Sequence, residues 1–117
     1  LAGKLRLAWR DFFREWDIVL CPIAARVAFE HQHGPYRGRK LRIDDVEVPY
    51  FQQLFWAGLA TCSYLPATVF PTGPDAQGLP IGLQVIGRHY TEQLLLDVAL
   101  TAERNHPWPL VAPGSPV

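Results

Sequence analysis

Methionine is missing from this sequence altogether, and serine and lysine occur only twice each. The missing initiator residue points to a segment of a longer chain. The shortage of serine bears directly on chemistry. Ser63 lies near the end of an apolar helical stretch and Ser115 in a proline-rich tail, and neither Lys4 nor Lys40 is near them in sequence. A serine nucleophile needs a base within hydrogen-bond reach, so a self-contained serine site is not expected. Charge of either sign is not in excess: 11 basic and 11 acidic residues give a formal net charge of zero. Nucleic-acid binders usually carry a basic surplus or patch, so no nucleic-acid partner is expected. The only basic run, Arg37, Arg39, Lys40 and Arg42, is followed at once by Asp44, Asp45 and Glu47 and reads as solvated loop. Long apolar runs are also lacking. The opening LAGKLRLAWRDFFREW is broken by Lys4, Arg6, Arg10, Asp11, Arg14 and Glu15, which fits neither a secretory leader nor a membrane span. The two cysteines, Cys21 and Cys62, show no CxxC pairing and lie in apolar surroundings. They are expected to be buried free thiols in a reducing, cytoplasmic setting.

What remains is the material of one core, with 49% apolar and 19% charged residues in 117. Leu5, Trp9, Phe12, Phe13 and Trp16 recur at helical spacing within residues 4–16. The run DIVLCPIAA at 17–25 lacks polar alternation and predicts a strand buried on both faces, ended by Pro22. Residues 26–48 lose all pattern and predict a long loop. Pro49 opens a predicted helix to residue 65 that is apolar enough to be buried nearly all round. Gly58 within it suggests close approach by another backbone. Strands are predicted at 67–70 and 79–86, joined through PTGPDAQG and paired antiparallel. Thr91 should cap a helix over 92–104, and residues 107–117 form an extended tail. The fold class is α/β, a layered mixed sheet covered by helices.

Three site chemistries can be weighed on the residues alone. Glu30, His31 and His33 fall short of the three or four well-placed ligands a metal needs. Cys21 stands at a strand end, yet Leu20, Pro22 and Ile23 around it favour an inert protonated thiol. The glycines of GLPIGLQVIG at 78–87 lie in and around a strand, not in a turn before a helix, which does not suit a phosphate cradle. No metal or cofactor is called for.

From Tyr50 onward, FWAGLATCSYLPATVFPTGPDAQGLPIGLQVIG resembles the C-terminal part of amidase-signature enzymes. The matching motifs are Leu65-Pro66-Ala67, a P-x-G turn at Pro71-Thr72-Gly73, and the GLP-x-G-x-Q-x-x-G strand from Gly78 to Gly87. DIVLCPIAA also resembles a strand of that family, and the 26–48 loop is unmatched. The resemblance implies a carboxamide hydrolase with a Ser–cis-Ser–Lys triad, the segments bearing that triad lying upstream. This chain, residues 1–117, would then be a C-terminal segment with a partial amidase-signature fold, inactive alone, contributing sheet and substrate-pocket wall. Cys21, Pro22, Ile23, Phe55, Trp56 and Gln84 are the pocket candidates, and the implied partner is a small-molecule amide. Homo-oligomerisation is also expected, because a piece of a larger sheet exposes edges and apolar surface. The alternatives are a non-catalytic interaction or scaffold domain, and an amidotransferase A subunit.

Overall fold

A computed structural model of the chain describes residues 2–107. The tail expected over 107–117 lies outside the described residues beyond Pro107. Helix α1 (Ala2–Phe12) is followed by strand β1 (Ile18–Pro22), a short hairpin of β2 (Lys40–Ile43) and β3 (Val46–Pro49), and helix α2 (Phe55–Thr61). Strands β4 (Ala67–Pro74) and β5 (Pro80–Gly87) and helix α3 (Glu92–Asn105) complete it. The main sheet runs β1-β5-β4, and every pairing in it is antiparallel. The expected α/β layering and the expected β4–β5 pair are both present.

Strand β5 is central because its side chains are apolar on both faces. Val85 and Ile86 are each fully buried, and alternation sends them to opposite sides. Ile86 joins Phe13, Cys21, Ala60 and Leu65 in a core cluster, against which Trp9, Val19, Trp56 and Leu59 pack. On the other side lies α3, whose buried Leu95 reaches Gly87 so closely that a Cβ there would stand 2.8 Å from its Cδ2. The sheet is therefore sandwiched between α3 and the α1/α2 pair.

The structure corrects several sequence expectations. Strand β1 is not buried on both faces: α3 packs on β4 and β5, leaving Leu20 of the edge strand 54% exposed. The 26–48 stretch is no featureless loop. A 3-10 turn (Tyr36–Gly38) precedes the β2–β3 hairpin, whose turn residues Asp44 and Asp45 have φ of 47° and 65°. Two consecutive left-handed residues make the tight turn whose twist matches paired strands. The helix predicted from 49 is a 3-10 turn (Tyr50–Leu54) running into α2, and Pro49 ends β3 instead of opening it. Far from being buried all round, Phe51, Leu54 and Phe55 are mostly exposed, since little of this chain lies over them. Gly58 meets only Cys62 Sγ at 3.9 Å, so no other backbone explains it, and Cys62 itself is exposed.

The PTG segment is not the turn between β4 and β5. It lies within β4 at a register shift between Pro71 and Gly73, and Pro71 and Pro74 are accommodated because β4 is an edge strand. The reversal is made by Asp75, whose Oδ1 accepts from the amides of Gln77 (2.9 Å) and Leu79 (2.8 Å), with Gly78 at φ 84°. Thr91 occupies the N-cap position of α3, yet its hydroxyl donates to the Arg88 carbonyl at 2.6 Å and caps no helical amide.

Candidate functional site

Strand pairing sets Cys21 directly opposite Gln84 and Pro22 opposite Leu83. Gln84 is 5% exposed, and a buried amide must find partners. Its Nε2 donates to the Trp56 carbonyl at 2.8 Å and to the Pro22 carbonyl at 3.2 Å. One side chain of the central strand thus holds the end of β1 and the first turn of α2 together. Ile23, just past β1, lies over Gly82, where a Cβ would come within 2.7 Å of its Cδ1 and 3.1 Å of the Phe70 carbonyl oxygen. That glycine is required by the close approach. The rings of Phe55 and Trp56 meet edge to face at 5.2 Å.

Five of the six candidates, Cys21, Pro22, Ile23, Trp56 and Gln84, are therefore drawn to one end of β1, and Phe55 joins them through Trp56. Phe55 and Trp56 also line a cavity of about 430 Å³ with Ala25, Gln52, Ile43 and Val48. The last two come from the β2–β3 hairpin, which the sequence pattern alone leaves as loop. Their signal is the alternation Leu41, Ile43, Val46, Val48, obscured by the charges between them.

The titration of Cys21 follows from its position. Burial pushes the thiol up from its ordinary value, and a hydrogen bond with the Gln84 side chain pulls partly the other way. A thiol so held is protonated at neutral pH and is no nucleophile. Because its folded pKa is raised, the stability linked to it is complete below the unfolded thiol's range and is lost as pH rises through the folded value. Alkylation by iodoacetamide at neutral pH is expected to be at least about tenfold slower at Cys21 than at the exposed Cys62. Equal rates, read by peptide mass spectrometry, would contradict a buried Cys21.

The other chemistries gain no support from geometry. The rings of His31 and His33 stand 6.3 Å apart, and among the described residues no group of three His, Cys, Asp or Glu is placed to hold a metal. Ser63 is fully buried and its Oγ has no hydrogen-bond partner, so no base stands on it. The basic run is engaged locally: Lys40 pairs with Glu47 at 2.6 Å and Arg42 with Asp45 at 3.2 Å, while Arg39 donates to the Gly34 carbonyl. No helix among the described residues is long and apolar enough to cross a membrane.

A family model described as Amidase matches residues 2–96. The A subunit of glutamyl-tRNA(Gln) amidotransferase from Novosphingobium aromaticivorans is 38% identical over 109 residues, covering 89% of this chain and 20% of the relative. The protein of the same name from Picosynechococcus is 38% identical over 111 residues, covering 92% and 21%. The chain thus spans about a fifth of the length of the curated relatives it matches. Among solved structures, a bacterial aryl acylamidase of the amidase signature enzymes superposes with a TM-score of 0.74 at 23% identity, over 92% of this chain and 22% of that one. A 6-aminohexanoate cyclic dimer hydrolase gives 0.72 at 27% identity, over 97% and 23%. The glutamyl-tRNA(Gln) amidotransferase A subunit from Thermotoga maritima gives 0.69 at 25%, over 92% and 21%.

Proposed function

This chain belongs to the amidase signature family, and on that premise we propose that it is the C-terminal segment of a carboxamide hydrolase, supplying sheet and one wall of the substrate pocket. The observation that carries the reading is the Gln84 clamp, which joins the two family-like stretches, DIVLCPIAA and FWAGLAT, at one place beside an apolar cavity. In this reading the upstream part of the enzyme brings the nucleophile, bridging serine and lysine. The present segment orients the substrate. Pro22, Ile23, Phe55 and Trp56 receive its apolar acyl portion, and Gln84 fixes the distance between them. Cys21 packs beneath and takes no part in bond making.

The test is a chimera in which this chain replaces the matching fifth of the Novosphingobium relative. Ammonia release from simple carboxamides is expected from the chimera and not from the isolated chain. Trp56→Ala should raise KM for aromatic amides by about tenfold with kcat little changed, as loss of uniform binding does. A folded chimera without turnover, or turnover by the isolated chain that a serine-directed reagent abolishes, would refute the reading. A second reading, an amidotransferase A subunit, is favoured by the 38% identity to proteins of that name. It predicts that glutamine is the preferred amide of the chimera.

A further inference from the structure

The β2–β3 hairpin has two chemically distinct faces. Arg42 pairs with Glu47 and Leu41 with Val48, so alternation puts Lys40, Arg42 and Glu47 on one side and Leu41, Ile43, Val46 and Val48 on the other. The charged side is neutralised within the hairpin by the Lys40–Glu47 and Arg42–Asp45 ion pairs. From the apolar side, Ile43 and Val48 reach the cavity of about 430 Å³ that Phe55 and Trp56 line, with Ala25 and Gln52 completing it. Among the described residues, no side chain lining this cavity carries a charge. We infer that the hairpin is the specificity element of the pocket. Ile43 and Val48 select amides whose acyl chain is uncharged, and they reject those, glutamine among them, that end in a carboxylate or carry an ammonium. This assignment rests on the reading of the chain as a pocket wall, and it adds the substrate class and the residues that choose it.

The hairpin is a fixed wall. The Gln32 side chain pairs with the Lys40 backbone in both directions, Nε2 donating to the carbonyl at 2.6 Å and Oε1 accepting from the amide at 3.2 Å. Arg26 donates to the Arg42 carbonyl at 3.1 Å, and the Tyr50 amide donates to the Arg39 carbonyl at 3.0 Å. The left-handed pair Asp44 and Asp45 sets the register. A slip of one residue would turn Arg42 and Glu47 into the cavity and Ile43 and Val48 out of it. Selection then follows from solvation. A charged group entering the cavity sheds its water and meets aliphatic and aromatic side chains and one neutral amide, none of which can neutralise it. An uncharged chain of the same length gains apolar contact instead. The volume also lies within the range of small-molecule sites, about 300–1,000 Å³.

The test uses the chimera with a matched pair of substrates, pentanamide and glutaramate, the same chain ending in a carboxylate, together with glutamine. For pentanamide, kcat/KM is expected to exceed that for either charged amide by at least about 100-fold. Val48→Arg offers the carboxylate a partner and should narrow the ratio of pentanamide to glutaramate by at least about tenfold. Val48→Met, long but uncharged, should keep it. The ratio separates selection from a structural role, because a damaged fold lowers turnover of both amides alike. A parent chimera that prefers glutaramate or glutamine overturns the inference and leaves the hydrolase reading standing, as does a ratio that both variants change equally. A folded chimera without turnover removes the hydrolase reading, and selection is then read by saturation-transfer NMR. Pentanamide binding that exceeds glutaramate binding, and loses its lead in Val48→Arg, upholds the specificity element. Equal binding of the two, or none, overturns it.

Discussion

Gln84→Leu is expected to lower the unfolding free energy by about 3 kcal/mol. The substitution keeps the volume and removes the donor. The carbonyls of Pro22 and Trp56 then face hydrocarbon, and each loses a hydrogen bond now made at 3.2 and 2.8 Å. Leaving a buried acceptor unsatisfied costs about 1–3 kcal/mol, more than an average hydrogen bond contributes. The loss should appear as a lower urea midpoint with an unchanged slope. Gln84→Glu sharpens the test. An ionised carboxylate has no proton to donate and confronts two carbonyl oxygens, so its folded pKa is raised above the unfolded value. The variant is then least destabilised below the ordinary carboxyl range, and it loses stability as pH rises through the folded pKa. A midpoint equal to that of the parent chain, for either variant, would show that the clamp holds nothing.

Gly87→Val should be comparably damaging for the opposite reason, excess volume. An added Cβ would stand 2.6 Å from Thr91 Oγ1 and 2.8 Å from Leu95 Cδ2. Leu95 is 1% exposed and has no space to retreat into, so α3 must lift from the sheet. Overpacking of this kind costs about 1–3 kcal/mol, and valine is placed at the upper end. The companion variant Leu95→Ala opens the space and costs about 2–5 kcal/mol alone through the cavity it leaves. Their combination should be milder than the sum by about 1 kcal/mol or more, because each relieves the other. Strict additivity in thermal or urea unfolding would mean that Gly87 and Leu95 are not in contact.

Strands β1, β4 and β5 and the last helix are legible in the sequence because their residues announce themselves locally. Leu94, Leu95, Val98, Ala99 and Ala102 keep helical spacing, and the glycines and prolines around 71–80 mark a reversal. Their limits are less so, since nothing in PTG says that Pro71 and Gly73 flank a bulge within a strand. The hairpin at 40–49 is hidden because Arg42, Asp44, Asp45 and Glu47 look like a solvated run, although Leu41 and Val48 alternate beneath them. Apolar content misleads over 50–62. Phe51, Leu54 and Phe55 are as apolar as core residues, but composition cannot say which surface covers them. Of the candidate site, Gln84 is the most informative residue: a lone amide in an apolar strand has to be bonded, though only the fold reveals that its partners are Pro22 and Trp56.

Strand β1 pairs Ile18 with Gly87 and Pro22 with Leu83, joining nearly opposite ends of the described chain. The β2–β3 and β4–β5 pairs close through short local turns, and local contacts form first. On the ribosome the order has a further effect. Residues 18–22 leave the ribosome well before Pro80–Gly87, the strand that must receive them. At about 5–20 residues per second, β1 waits several seconds with its backbone unpaired. During that interval the edge is a template for strands of neighbouring nascent chains, so the yield of native protein should depend on how crowded the message is with ribosomes.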